Sequence, residues 1–283
     1  MKFVTFSHRQ AGHRQHAGIL DGEQVACLTE AGLAASVLEV VQGGGAALEK
    51  VRAGLAKAPR YALADTILEA PIRPGKVLCS GINYKGHAEE NPNAKMTEPF
   101  FFAKLPSSVV GPDVRVEKPV RTEQMDYEVE FTAVIGKHLH KASEADVMPA
   151  IFGYTLLNDI SARDVQFKDN QITIGKNFAG FAPIGPCIVT TDELTRPDDV
   201  TLKTRLNGKL LQNGSTSDWL FPLPRLISFL SHYVPLEPGD LVSTGTPAGV
   251  GAFQKPQIFM KAGDVVEIEA AGIGVLRTPI VAG

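Results

Sequence analysis

The alternation of apolar and polar residues changes character near residue 75 of the chain. Before that point, short runs of period two predict three strands, with Asp21-Gly22 as a tight turn between the last two: Lys2–Phe6, Ala17–Leu20 and Gln24–Leu28. Ala31–Ala58 is rich in alanine, leucine, valine and glutamate, which predicts one or two helices broken at Gly43-Gly44-Gly45. A linker with two prolines follows, so we expect residues 1–70 to form a small N-terminal α/β domain of hairpin and helix.

From Lys76 to the C-terminus, short alternating strands are separated by glycine, proline, asparagine and aspartate. Asn207-Gly208 lies between two such runs and is a strong hairpin signal. Leu223–Tyr233 is apolar at helical spacing, which predicts a packed helix. The regular alternation of strand and helix of a doubly wound sheet is missing. We therefore expect residues 71–283 to form an α+β domain with a β-rich centre.

Composition narrows the functional classes. The chain has 283 residues, 44% of them hydrophobic, and a net charge of −3, which allows a sizeable core and argues against a nucleic-acid partner. No apolar run approaches the ~20 residues needed to cross a bilayer, and the N-terminus does not resemble a signal peptide. Cys27, Cys79 and Cys187 are widely spaced and form no CxxC pair, so we expect a reducing, cytoplasmic location.

Three histidines, His8, His13 and His16, lie close together within Ser7–His16. Such a group admits a metal-binding interpretation. The segment is also rich in arginine, glutamine and glycine, however, and this composition favours a solvated loop.

The most informative run of the chain holds Glu128 and Glu130, which fall on one face of a predicted strand. Two carboxylates this close repel each other, and a hard divalent ion such as Mg²⁺ or Mn²⁺ would relieve the repulsion. The alternative is a face open to water. A third acid, Asp159, ends the apolar run Ile151–Leu157, where it could join the pair or simply cap a short helix.

Arg163 and Gln166 would share one face of a helix that starts there, and Arg163 could pair with a substrate carboxylate. His87 and Glu90 lie three residues apart, so on a helical turn they can touch and form an acid–base dyad; incidental charges on an exposed helix are the alternative. Lys176 lies in an apolar, turn-rich loop, where it could stabilise an enolate or simply extend into solvent.

The glycine-rich turn Thr244–Gly251 could cradle a carboxylate through its backbone N–H groups and the Thr246 hydroxyl, or serve only to reverse the chain. Both nucleotide-binding signatures, GxGxxG and GxxxxGK[ST], are missing, so we expect no nucleotide site.

Taken together and in order, these motifs resemble the fumarylacetoacetate hydrolase superfamily over most of the chain, in particular its longer bacterial-type members with a small N-terminal domain. The resemblance is carried by five segments: Gly81-x-Asn83-Tyr84-x-x-His87, Asp126-Tyr127-Glu128-Val129-Glu130, Asn158-Asp159-x-Ser161-Ala162-Arg163-Asp164-x-Gln166, Gly175-Lys176-x-Phe178 and Thr244-Gly245-Thr246-Pro247-x-Gly249-x-Gly251.

This resemblance implies a mixed β-roll or β-sandwich catalytic domain, a homodimer, and Mg²⁺ or Mn²⁺ as cofactor. It further implies a role for each matched residue: metal ligands Glu128, Glu130 and Asp159; a water-activating dyad of His87 and Glu90; Lys176 beside the carbanion; and substrate contacts from Arg163, Gln166, Gly245 and Thr246. The expected substrate is a small 2-oxo acid.

Two departures from the family pattern bear on the substrate. Fumarylacetoacetate hydrolase itself has a further aspartate ligand where this chain reads Cys79-Ser80-Gly81, which disfavours the fumarylacetoacetate-cleaving branch. Many members also have Phe-Asp where this chain has Phe178-Ala179. The first functional hypothesis is C–C hydrolysis of a 2,4-dioxo acid of acylpyruvate or fumarylpyruvate type. The alternatives are an oxaloacetate-type decarboxylase, a 2-hydroxy-diene-dioate isomerase, and a catalytically silent 2-oxo acid binder.

Overall fold

The structure, a computed structural model, describes residues 1–9, 14–90 and 96–283, leaving aside the side chain of Asp169. Nineteen strands lie within these ranges: β1 Lys2–His8, β2 His16–Asp21, β3 Gln24–Cys27, β4 Arg60–Ala62, β5 Thr66–Glu69, β6 Val77–Ser80, β7 Phe101–Lys104, β8 Val109–Val110, β9 Val116–Lys118, β10 Met125–Asp126, β11 Val129–Ile135, β12 Ile151–Asn158, β13 Ser161–Ala162, β14 Ala182–Thr190, β15 Thr201–Leu206, β16 Lys209–Ser215, β17 Leu241–Ser243, β18 Val265–Ala270 and β19 Gly274–Ala282.

The described ranges also contain six α-helices: α1 Val37–Gly54, α2 Lys85–Glu90, α3 Glu144–Val147, α4 Arg163–Gln166, α5 Ile172–Gly175 and α6 Leu223–Ser231. Seven 3₁₀ turns connect them with the strands: Leu55–Lys57, Leu63–Asp65, Pro106–Ser108, Met148–Ala150, Lys168–Asn170, Thr216–Asp218 and Gly251–Phe253. Within these ranges no helix is both long enough and apolar enough to span a membrane.

One twelve-stranded sheet runs through the molecule in the order β4-β3-β2-β1-β14-β12-β11-β17-β6-β7, with β5 beside β1 and β8 beside β14. A second sheet of five strands has the order β16-β15-β18-β19-β9. This mixed arrangement with few helices confirms the predicted α+β class. The first strands do not stand apart, because β1 pairs antiparallel with β14 of the main body. The division at residues 70 and 71 therefore stays a prediction, as do the homodimer and the cytoplasmic location.

The main sheet is buried on both faces, and strand β11 shows how the sequence achieves this. Its alternate residues Val129, Phe131, Ala133 and Ile135 pack into one apolar core, while Val134 packs into the core on the other side. The predicted period-two face is thus confirmed. Apolar residues of the five-stranded sheet share the first core, so the two sheets pack face to face as in a β-sandwich.

Local turn chemistry is also confirmed. Asn207 and Gly208 both have positive φ, at 50° and 81°, as expected of a two-residue hairpin turn. Helix α1 contains the predicted break, because Gly44 has φ 56° and ψ −137° within it.

The expected loop Ser7–His16 is wrong at both ends, since His8 closes β1 and His16 opens β2. The side chain of His16 is buried against Phe6 and is not solvated. His13 lies outside the described residues.

Candidate metal centre and active site

Three carboxylates meet beside the end of the β11–β12 pair. Oxygen atoms of Glu128, Glu130 and Asp159, which we call the acidic trio, lie within 4.8 Å of one another, and all three side chains are buried. Glu128 directly precedes β11, Glu130 lies on it, and Asp159 directly follows β12. Because the two strands are antiparallel with Val129 opposite Asn158, residues about thirty positions apart become neighbours.

The alternative interpretation, in which Asp159 caps a short helix, is wrong. Helix α4 begins after Ala162, which provides no side-chain cap, and the Ser161 hydroxyl donates to the Asp159 carbonyl instead. Asp159 is fully buried within the trio.

Three cationic side chains surround the trio. Nζ of Lys176 donates to Oε2 of Glu128 at 2.8 Å and to Oδ2 of Asp159 at 2.5 Å. Nη2 of Arg163 donates to Oε1 of Glu128 at 2.6 Å, and Nζ of Lys104 donates to Oδ1 of Asp159 at 2.7 Å. All of these groups are buried, so each charge depends on its partners for compensation.

The pKa values of the three carboxyl groups of the trio are shifted in different directions. Burial alone would raise the pKa of Glu128, but Lys176 and Arg163 outweigh it and hold that pKa well below its usual range. Burial raises the pKa of Glu130 well above its usual range, and the charges of Asp159 and Glu128 raise it further. Burial is also the largest cause of the raised pKa of Asp159, against which Lys104 and Lys176 act.

These groups fit a hard divalent cation. Oε2 of Glu130 is buried without a hydrogen-bond partner in the part of the chain that the structure describes. With Asp126, which accepts from Nε of Arg163 at 2.9 Å, four buried carboxylates face three cations, so negative charge is in excess. An all-oxygen donor set with surplus negative charge suits Mg²⁺ or Mn²⁺.

The two residues of the predicted acid–base dyad lie in contact, while their role stays a prediction. His87 and Glu90 lie on α2, and Nδ1 of His87 is 2.8 Å from Oε2 of Glu90. Oε1 of Glu90 accepts from the backbone N–H of Gly249 at 2.8 Å. This contact fixes the carboxylate that orients the imidazole, and it leaves Nε2 of His87 as the ring nitrogen available for proton transfer.

The glycine-rich turn Thr244–Gly251 cradles carboxylates, as its sequence suggested, but they belong to the protein. Gly249 holds Glu90, while the backbone N–H of Gly251 donates to Asp126 at 2.8 Å. The turn thereby connects the dyad with the acid that supports Arg163.

A cavity of about 310 Å³ opens over these groups. Seven of the predicted site residues line it: His87, Glu128, Glu130, Arg163, Gln166, Lys176 and Thr246. Its remaining lining is largely apolar, with contributions from Phe100, Phe102 and Phe253. A larger cleft of about 870 Å³ lies elsewhere, and Glu69 is the single carboxylate among the described residues that line it.

Three predicted site residues do not line the cavity. Glu90 and Asp159 lie behind it, each bonded to a group that does. The backbone at position 245 requires glycine, because its φ is +81° and an added Cβ would lie 2.6 Å from the carbonyl oxygen of Gly81.

Two buried residues that contact the site were not predicted from the sequence. Lys104 ends β7 and supplies the third cation; a lysine that ends the apolar run Phe100–Ala103 is the signal that could have identified it. Gln212 is fully buried, and its Nε2 donates to the Thr246 hydroxyl at 2.8 Å. No local pattern marks Gln212 out.

Comparison with known proteins places this arrangement in a family. The model of the fumarylacetoacetate (FAA) hydrolase C-terminal family matches residues 76–281. A mitochondrial oxaloacetate tautomerase of Xenopus laevis is 40% identical over 247 residues, which is 86% of this chain and 77% of that protein.

Solved structures agree with the sequence comparison. A fumarylacetoacetate hydrolase from psychrophilic Exiguobacterium antarcticum is 35% identical and superposes over the full length of both chains with a TM-score of 0.87. A maleylpyruvate hydrolase from Sphingobium sp. SYK-6, in complex with manganese(II) and pyruvate, is 27% identical and likewise covers both chains fully, with a TM-score of 0.84. The fold, the order of the motifs and these similarities lead to one conclusion: the chain belongs to the fumarylacetoacetate hydrolase family.

Proposed function

We propose that this protein is a divalent-metal-dependent enzyme that interconverts the enol and keto forms of a small 2-oxo dicarboxylic acid of the oxaloacetate type. The observation that carries the proposal is one cavity in which His87, backed by Glu90, shares a lining with Glu128 and Glu130 of the acidic trio. The relatives named as oxaloacetate tautomerases, at 36–40% identity over most of this chain, favour proton transfer over bond cleavage.

The acidic trio would hold Mg²⁺ or Mn²⁺. When bound, such an ion supplies a Lewis acid that stabilises negative charge on the 2-oxygen of the substrate. The manganese in the Sphingobium maleylpyruvate hydrolase supports the choice of a divalent cation for this site.

Residues of the chain would transfer the proton and stabilise the negative charge. Nε2 of His87 would remove or return the proton at C3, since Glu90 orients the ring through Nδ1. Burial opposes the charged form of Lys176, but Asp159 and Glu128 outweigh it and raise the pKa of this lysine, so Lys176 stays cationic and stabilises the enolate.

Arg163 supplies a second positive charge, and Asp126 and Gln166 fix its orientation. A substrate carboxylate that approaches the guanidinium would meet a fixed group, so little ordering of this side chain is needed on binding.

C–C hydrolysis of an acylpyruvate, the first hypothesis from the sequence, is the second candidate. The dyad that transfers a proton to carbon could equally deprotonate water. The similarity to maleylpyruvate hydrolase supports this activity, although at 27% identity, against 40% for the tautomerase.

A single set of assays separates the candidates. Metal-stripped protein is mixed with the enol form of oxaloacetate, or with several acylpyruvates, in Mg²⁺, Mn²⁺ or chelator, while enol absorbance and pyruvate are followed. Metal-dependent loss of oxaloacetate enol without pyruvate supports the tautomerase. Pyruvate formed from oxaloacetate faster than in the same metal solution without protein would replace it with a decarboxylase, and pyruvate from an acylpyruvate alone would replace it with the hydrolase. Metal binding without turnover of any compound would support the remaining hypothesis, a catalytically silent 2-oxo acid binder.

A further inference from the structure

A second group of metal-binding side chains lies at the N-terminal end of the main sheet. His8 closes β1, His16 opens β2, and Glu30 lies three residues beyond the end of β3. One donor atom from each of the three lies within 4.8 Å of the other two. The thiol of Cys27, the last residue of β3, is fully buried next to His16.

The separations between the nitrogen and oxygen donors are equal to or slightly longer than those of ligands around one ion. Oε1 of Glu30 is 3.6 Å from Nε2 of His8 and 3.8 Å from Nδ1 of His16. Sγ of Cys27 is 3.7 Å from the same Nδ1. Tetrahedral zinc, with bonds of about 2.0–2.3 Å, keeps its ligands about 3.3–3.6 Å apart. Both nitrogen–oxygen distances are longer than a normal hydrogen bond but lie within the range of an ion pair.

Neighbouring groups hold the donors in place. The Tyr61 hydroxyl donates to Oε2 of Glu30 at 2.6 Å, which leaves Oε1 turned towards the two imidazoles. The Tyr61 ring also packs edge-on against His8, with ring centroids 4.3 Å apart. Metal ligands in proteins have supports of this kind, which fix the orientation of each donor.

Aromatic packing alone does not account for the arrangement. Phe6 contacts both imidazoles, but such contacts leave free the direction in which each ring nitrogen points. Here one nitrogen from each ring is directed at the same carboxylate oxygen. Two imidazoles with one carboxylate suit zinc-class ions, whereas the all-oxygen acidic trio suits Mg²⁺ or Mn²⁺.

We propose that His8, His16 and Glu30 bind a zinc ion that fastens the β1–β2 hairpin to the turn after β3. This site differs in chemistry and position from the acidic trio. Four strand spacings separate β2 from β11 in the main sheet, or about 19 Å at the usual ~4.8 Å per strand. Its role is structural, and turnover does not depend on it directly.

Cobalt(II) is the probe that tests the site, because its visible absorption is intense in tetrahedral and weak in octahedral coordination. Metal-stripped full-length protein is titrated with Co²⁺ in excess Mg²⁺, which occupies the acidic trio, and Zn²⁺ affinity is measured by competition with a chromophoric chelator. We expect one equivalent of tetrahedral Co²⁺, displaced by Zn²⁺.

Variants assign the ligands. His16→Gln and Glu30→Gln should each weaken Zn²⁺ binding by more than the about 10–100-fold that loss of an outer support costs. Glu23→Gln, at an exposed acid in the turn between β2 and β3, should bind like the wild type. Circular dichroism in chelator verifies that each variant folds.

Octahedral Co²⁺ only, or unchanged Zn²⁺ affinity in folded His16→Gln and Glu30→Gln, would overturn the site. Glu130→Gln, which alters the acidic trio alone, should keep the tetrahedral cobalt spectrum, and its loss there would also overturn the proposal.

Discussion

Arg163 donates from Nη2 to Oε1 of Glu128 at 2.6 Å, and both side chains are more than nine-tenths buried. Asp126 accepts from Nε of the same guanidinium, so removal of Arg163 would take a charged partner from each of two buried carboxylates. We expect Arg163→Ala to lower the free energy of unfolding by about 3–5 kcal/mol, as when one member of a buried ion pair is removed. Urea denaturation measures this.

The matched control is Arg196→Ala. Arg196 also pairs with an aspartate through Nε, at 3.1 Å, but its side chain is 70% exposed. The urea midpoint of this variant should stay close to that of the wild type, because exposed pairs contribute little. If the two substitutions lowered the free energy of unfolding equally, the buried ion pair of Arg163 and Glu128 would not contribute the predicted stability.

Glu130→Gln should separate metal binding from stability. In chelator, we expect a urea midpoint equal to or above that of the wild type, because the substitution removes a buried carboxyl whose Oε2 has no partner. Saturating Mg²⁺ or Mn²⁺ should stabilise the wild type, by about 2.7 kcal/mol at a hundred times the Kd, and the variant far less. Glu123→Gln, at an 85% exposed side chain, should behave like the wild type throughout. A full metal response in Glu130→Gln would remove this residue from the ligand set.

The sequence predicted the parts of the site that depend on local spacing. Period two places Glu128 and Glu130 on one face, and a helical turn brings His87 to Glu90, so both pairings follow from neighbours in the chain. Lys104 reaches Asp159 only because of long-range strand pairing and packing, across 55 positions. A local pattern can single out Lys104 at the end of an apolar run, but it does not identify Asp159 as its partner.

The same distinction applies to the fold. The Asn207-Gly208 hairpin is set by two residues with positive φ, and the sequence identified it. The pairing of Lys2 with Val189 joins the N-terminal strands to the main sheet across most of the chain. A pattern of apolar residues predicts each strand but does not specify its partner.

Gly245→Ala should destabilise the protein through its backbone. Gly245 and Gly263 both have positive φ, at +81° and +95°, where an added Cβ costs about 1–2 kcal/mol. At Gly263 the new Cβ would meet no atom within 4 Å, whereas at Gly245 it would lie 2.6 Å from the Gly81 carbonyl oxygen. Gly245→Ala should therefore lower the urea midpoint clearly more than Gly263→Ala. Equal losses would mean that the contact with Gly81 relaxes without cost.

His87→Gln should abolish proton transfer and leave the metal site intact. His87 lines the cavity without belonging to the acidic trio, so the stabilisation by Mg²⁺ or Mn²⁺ should persist. Turnover should fall by about 10²–10⁴-fold, the usual contribution of a general acid–base group. His138→Gln is the matched control, because Nδ1 of His138 also faces a glutamate, Glu237, at 3.1 Å, but with a side chain 55% exposed. If His87→Gln lost metal stabilisation together with turnover, the imidazole would be a ligand or a structural support. If it retained wild-type turnover, another group would have to move the proton.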